Sequence, residues 1–158
     1  MLLMPATLDR IDREILRRLQ RDGRMSNRDL AAAVGLSAAP CLRRVQRLEE
    51  AGHIRGYVAL VDPETVDRGL TVFISVRLER HTSRTVDRFE TEILKNPAVM
   101  ECYWTTGETD YLLKVALADL HALDRFLLDH LTQIAGVATV RSSIAIRPVK
   151  NSTAVPID

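Results

Sequence analysis

Long apolar runs are what this sequence lacks first. No stretch of its 158 residues approaches the roughly 18 to 20 consecutive apolar positions a bilayer-crossing helix needs, so no membrane partner is expected. The amino-terminal MLLMPATLDR has no basic region leading into an apolar core, and no secretory signal is read there. Cysteine is nearly absent. Cys41 and Cys102 stand far apart in no CxxC pair, and read as small buried apolar residues of a reducing compartment, hence a cytoplasmic address. His53, His81, His121 and His130 are scattered, without an H-E-x-x-H motif, a Walker loop or a G-x-G-x-x-G turn. Ser142-Ser143 lacks a nucleophile elbow, and Cys102 has no evident histidine base and is expected to pack in a sheet. The expectation is no enzyme, no catalytic residues, no metal site and no cofactor.

Charge is nearly balanced overall, at +1, but unevenly placed. Residues 1 to 62 carry eleven arginines and eight acids, or +3; residues 63 to 158 carry eleven basic and thirteen acidic residues, or −2. Every basic side chain of the first part is arginine, the residue suited to bidentate phosphate and guanine contacts.

Periodicity also divides the chain. Leu8, Ile11, Ile15 and Leu19 form one helical stripe, with Asp9 and Asp12 as an acidic start and Asp22-Gly23 as a stop. Ser26 and Asp29 resemble a capping box for a second helix that turns Leu30 and Val34 inward and ends at Gly35. Leu36 plugs the turn, Ser37 caps a third helix, and Pro40 lies in its first turn, where a missing N–H is harmless. Residues 54–61, IRGYVALV, read as a strand, which makes a helix-turn-helix with a possible wing. From residue 71 the pattern becomes strand (Val72, Ile74, Val76, Leu78), helix (Val86, Phe89, Ile93), strand (99–106), strand (Tyr111, Leu113, Val115, Leu117), helix (Leu120, Leu123, Leu127, Leu131, Ile134) and strand (Val140, Ile144, Ile146). That β-α-β-β-α-β order is the ferredoxin-like arrangement. The expected class is therefore α+β. It divides into a winged helix-turn-helix over 1–62, a linker over 63–70, a ferredoxin-like domain over 71–150 and a tail over 151–158.

On a wheel of about 100° per residue, Cys41, Val45 and Leu48 of the third helix face inward. Arg43, Gln46 and Arg47 share the opposite side with Ala39, and Arg44 flanks the core edge. The N-terminal residues of such a helix enter the major groove, where arginine reads guanine and glutamine reads adenine. Ser37, Ala38, Ala39, Arg43, Arg44, Gln46 and Arg47 are accordingly the candidate contacts to double-stranded DNA. The bland alternative is a solvated helix whose arginines pair with Glu49 and Glu50.

With those residues in view, the chain resembles the Lrp/AsnC (feast/famine) family of bacterial and archaeal regulators. The resemblance runs from about Leu8 to the C-terminus. It is carried by LDRIDREILRRLQRDGRMSNRDLAAAVGLSAAPCLRRVQRLEEAGHIRGYVALVDP, by MECYWTTGETDYLLKV and by GVATVRSSIAIRPVK. It departs at Ala38-Ala39, where many relatives have Pro followed by Ser or Thr; a hydroxyl able to meet phosphate or base is absent. The resemblance implies a winged helix-turn-helix joined to a ligand-sensing α/β domain, and a nucleoid-associated regulator. It further implies dimers formed through the sheets, often assembled into octamers, and an amino acid as effector.

The family's effector site implies the turn Thr106-Gly107-Glu108-Thr109-Asp110. Asp110 would accept an ammonium. Backbone N–H groups near Gly107 and Gly136-Val137 would hold a carboxylate. Trp104, Leu120 and Ile144 would line a pocket, with Thr106, Thr109, Ser142 and Ser143 nearby. Structural roles stand beside these: Gly107 supplying a positive φ, Asp110 bonding its own turn, Leu120 and Ile144 in the core, Trp104 at an oligomer interface. Which amino acid binds is unknown from sequence. A ligand-independent DNA-packaging protein of the same fold is the alternative function.

Overall fold

The computed structural model describes residues 8–158. The first seven residues of the expected 1–62 domain, with most of the stretch searched for a signal, lie outside the described residues. The chain forms two compact units: residues up to Leu60 together with Lys150–Asp158, and Val61–Val149. No helix among the described residues is long and apolar enough to cross a membrane.

The first unit is a three-helix bundle. Helix α1 spans Arg10–Arg21 behind a reciprocal cap: the Asp12 N–H donates to Asp9 Oδ1 at 2.8 Å, and the Asp9 N–H donates to Asp12 Oδ2 at 3.3 Å. Helix α2, Asn27–Val34, is capped by Ser26, whose oxygen accepts from the Asp29 N–H. It stops at Gly35, whose φ of 72° a side chain would strain; there the Leu36 N–H returns to the Ala31 carbonyl. Helix α3, Ala38–Glu50, follows at once, and Asn27 Nδ2 donates to the Ala38 carbonyl at 2.8 Å, tying the two helix starts together. Ser37 stands at the N-cap as expected, but its hydroxyl makes no cap bond. Ile15, Leu30, Ala31, Cys41 and Leu48 are buried at the centre, with Leu8, Ile11, Leu19, Val34, Leu36, Val45 and Ile54 around them.

Residues 54–61 differ from expectation. They form no ladder, because β-propensity makes a strand only where a partner edge exists. Val58 and Leu60 are 82% and 77% exposed. Tyr57 is tied down: its hydroxyl donates to Glu49 Oε1 at 2.9 Å, and its ring lies 3.3 Å from where a Cβ on Gly23 would stand. The C-terminal segment, expected as a tail, lies along α1. Gln20 and Val155 exchange two hydrogen bonds, Arg17 donates to the Ile157 carbonyl and Arg13 to that of Asp158.

In the second unit the segment expected as a linker holds a 3-10 turn over Pro63–Val66. Strands β1 (Leu70–Leu78), β2 (Val99–Trp104), β3 (Tyr111–Leu117) and β4 (Val137–Ile144) form one antiparallel sheet in the order β2-β3-β1-β4. Helix α4 (Ser83–Lys95) and α5 (Leu120–Arg125) supply Phe89, Ile93 and Leu123 to the core formed with Val72, Ile74, Val76, Leu78, Tyr111, Leu113, Val115 and Leu117. The alternation read from the sequence is thus the burial pattern of β1 and β3.

Three expectations are corrected here. The long helix over 120–134 is α-helical only to Arg125, passes through a π turn at Phe126–His130 and ends in a 3-10 turn at Leu131–Gln133. A five-residue step puts Phe126 and Leu131 together in the core, while Leu120 is exposed. Ile144 and Ile146 are exposed as well, Ile146 lying beyond the end of β4. Cys102, expected buried, is exposed on the edge strand β2; Cys41 is buried, which pushes its thiol upward.

Two outcomes follow from these contacts. Gly136 has a φ of 98°, and a Cβ there would stand 2.4 Å from Thr85 Cγ2. Gly136→Ala is expected to cost roughly 1–3 kcal/mol in urea unfolding. Burial, reinforced by Glu49, pushes the Tyr57 phenol up to about 12. The folded state therefore favours the neutral phenol. In melts across pH, the stability advantage of the wild type over Tyr57→Phe should hold below about pH 10. It should fade as pH rises toward the folded value.

Candidate functional site

Helix α3 presents two kinds of arginine. Arg43 and Gln46 are exposed and have no hydrogen-bond or ion-pair partner among the described residues. Arg44 and Arg47 turn instead toward α1. Arg44 Nη1 lies 2.7 Å from both Asp9 Oδ2 and Asp12 Oδ1, and Arg47 Nη2 lies 2.6 Å from Asp12 Oδ2. Asp12 is only 1% exposed, so its charge needs these donors. Its backbone bond and Arg44 together hold the Asp9 carboxyl below its usual range, and the two aspartates raise Arg44 in turn. The bland pairing of these arginines with Glu49 and Glu50 is not what forms: the partners lie 32 to 35 residues away on another helix. Ala38 and Ala39 are exposed at the start of α3, leaving its N-terminal end unobstructed by long side chains.

In the second unit, the β2–β3 turn is held by one carboxylate. The Asp110 N–H donates to the Val76 carbonyl at 2.9 Å, and Asp110 Oδ2 accepts from the Leu78 N–H at 2.7 Å. Asp110 thereby continues the β1 ladder past the end of β3, opposite the irregularity where β1 and β4 shift register between Arg77 and Leu78. That differs from the structural reading made from the sequence: the carboxylate bonds the Leu78 amide of β1 through Oδ2, and not its own turn. Its other oxygen lies 3.3 Å from His81 Nε2. Thr105 Oγ1 closes the turn by donating to the Thr109 carbonyl, and Gly107 has a φ of 124°.

Beside this turn lies a cleft of about 530 Å³. It is lined by Gly107, Thr109 and Asp110, as expected, and by Ser75, Arg77, His81, Glu108, Thr139 and Arg141, which the sequence reading missed. The cross-strand pairs Arg77↔Thr139 and Ser75↔Arg141 put both arginines on the face of the sheet opposite the buried core. Neither has an ion-pair partner among the described residues. Adjacent outward-facing arginines on neighbouring strands were the signal available, but it appears only once the register is known.

The other expected effector residues scatter. Thr106 belongs to the turn, and Gly136 precedes β4 at this end, where Val137 begins the strand opposite Leu78. Trp104 is at this end too but on the helix-bearing face, stacked on Tyr111 at 6.4 Å and largely exposed. Ser142, Ser143 and Ile144 lie opposite Ile74, Phe73 and Val72, about 20 Å along β4 from the turn end at some 3.3 Å per residue. Leu120 starts α5 just beyond the same far end of β3.

Comparison with known proteins bears on both regions. Residues 8–55 match the family described as winged helix-turn-helix DNA-binding, and residues 71–155 match the Lrp/AsnC ligand binding domain. The chain is 49% identical over 152 residues to the Bkd operon transcriptional regulator of Pseudomonas aeruginosa, covering 96% of this chain and 99% of that one. It is 42% identical over 150 residues to the leucine-responsive regulatory protein of Escherichia coli, covering 95% and 92%. Among solved structures, a transcriptional regulator of Neisseria meningitidis in complex with L-Met superposes with a TM-score of 0.92 at 42% identity, covering 95% and 97%. With a helix-turn-helix unit, a ferredoxin-like unit and matches spanning both, the chain belongs to the Lrp/AsnC family of DNA-binding transcriptional regulators.

Proposed function

We propose that α3 reads double-stranded DNA in the major groove through Arg43 and Gln46, with Ser37, Ala38 and Ala39 allowing close approach and Arg44 and Arg47 adding backbone contacts. The carrying observation is that Arg43 and Gln46 are exposed and unpartnered among the described residues on the helix that follows the turn. A small amino acid bound in the cleft beside the β2–β3 turn then alters assembly or DNA affinity. A zwitterion needs both signs of charge, and the cleft offers Arg77 and Arg141 for a carboxylate, with Glu108 and the His81-facing oxygen of Asp110 for an ammonium. The L-Met complex of the Neisseria meningitidis relative supports this ligand class.

The assembly we propose is a homodimer through the helix-free face of the sheet, where Phe73 and Tyr103 are exposed, built up further into octamers. The protein acts in the cytoplasm, on nucleoid DNA.

Two measurements test this. Arg43→Ala should cost roughly 1–3 kcal/mol of DNA binding, unevenly across single-base variants of a selected site. A thermal-shift screen of the full chain against the twenty amino acids should single out one or a few. A ligand at a hundredfold excess over Kd adds about 2.7 kcal/mol, and Arg141→Ala should abolish the shift with the fold intact. A flat screen beside tight DNA binding would favour the ligand-independent packaging function instead.

A further inference from the structure

We propose that Asp12, on α1, is a positioning residue for DNA readout: it draws Arg44 and Arg47 away from base contact and leaves base reading to Arg43 and Gln46. This rests on the reading of α3 as the helix that meets DNA.

The argument begins with burial. Asp12 has 1% of its side chain exposed, and an ionised carboxylate in that setting needs charged donors on its oxygens. It has them. Oδ1 receives Arg44 Nη1 at 2.7 Å, while Oδ2 receives Arg47 Nη2 at 2.6 Å and the Asp9 N–H at 3.3 Å. Arg44 is held a second time by Asp9 Oδ2 at 2.7 Å and is only 26% exposed. Two guanidinium groups are thus immobilised by a single carboxylate on a different helix.

Reading guanine requires the opposite freedom. A guanidinium edge must present two N–H groups together to O6 and N7 of the base. Arg47 spends one Nη2 N–H on Asp12, so its remaining guanidinium edge can point only where that bond lets it, and swinging the group round to a base would strip a buried charge of its donor. Arg47 is nevertheless 54% exposed, so its remaining N–H groups stay open to solvent. Held there, it acts on DNA as a fixed positive charge near phosphates, which carry no sequence information. Arg43 and Gln46 bear no such constraint. Asp12 therefore divides the basic helix into a tethered pair that adds affinity and a free pair that adds specificity.

The test uses the full-length protein and a duplex site selected by it from a random-sequence library. Affinities are measured for that site, its single-base variants and random duplex over a salt series. Four variants are compared: Arg43→Ala, Arg47→Ala, Asp12→Asn and Glu50→Gln, the last removing an acid of α3 that pairs with no arginine among the described residues. The expected result is that Arg47→Ala weakens every duplex by a similar factor, whereas Arg43→Ala weakens some variants about tenfold more than others. Asp12→Asn, folded by its melt, should narrow the ratio of selected-site to random affinity by about tenfold and steepen the salt dependence, as freed arginines engage more phosphates. Glu50→Gln should shift both affinities equally.

The inference is overturned if Arg47→Ala is as uneven across bases as Arg43→Ala, or if folded Asp12→Asn keeps the wild-type ratio. Should Asp12→Asn fail to fold, the Arg47→Ala profile decides alone. If neither Arg43→Ala nor Arg47→Ala changes DNA affinity, the reading of α3 falls, and this inference with it.

Discussion

The turn end of the sheet is organised by the partner of one backbone N–H. Strand β1 runs past the end of β3, so the Leu78 amide has no backbone carbonyl opposite it on that side. Asp110 fills the place, accepting from Leu78 with its carboxylate while donating its own N–H to Val76. An amide left bare there would cost about as much as a lost buried hydrogen bond. Because the same residue ends the β2–β3 turn, the bond fixes where Gly107, Glu108 and Thr109 stand relative to Arg77 on β1. The cleft is therefore a by-product of ladder completion, and its acidic and basic walls are held in register by backbone chemistry.

The helical unit solves a related problem with charge in place of backbone. Its apolar centre is small, and the α1–α3 contact is made in part by a carboxylate and two arginines. Such a contact is directional where apolar packing is not. It fixes the rotation of α3 about its own axis, which decides which side chains face outward. The two units thus share a device, an aspartate whose oxygens are used by groups far away in sequence.

Much of the architecture is legible in the sequence alone. The caps at Asp9 and Ser26 and the stop at Gly35 were readable because a helix end is specified by a few adjacent residues. The alternation in β1 and β3 was readable because only one face of that sheet is buried. What escaped notice depended on pairing. The stretch 54–61 has strand composition but no edge to join. Phe126 joins Leu131 in the core because a π turn breaks the 3.6-residue period that projects a helix onto a wheel, while Leu120 stands exposed at the first position of α5. The wheel placed Arg44 at the core edge correctly, yet it could not show that Arg44 and Arg47 reach Asp12, since partners 32 and 35 residues distant leave no local trace. The ligand-site residues divided for the same reason. Ser142 and Ser143 resemble neighbours of the turn only until the antiparallel register sends them to the other end of β4.

The C-terminal residues have a practical bearing on how the protein is handled. Val155, Ile157 and Asp158 are hydrogen-bonded to Gln20, Arg17 and Arg13, so the chain leaves the first unit near residue 60 and returns to it at residue 150. The ferredoxin-like unit is topologically an insertion within the DNA-binding unit, attached by two covalent strands of chain. After a proteolytic nick near Pro63, residues 1–62 would be held only by the noncovalent contacts of the C-terminal segment, and expressing residues 1–62 alone would strip α1 of that segment. An affinity tag fused after Asp158 would emerge beside Arg13, on the DNA-binding unit.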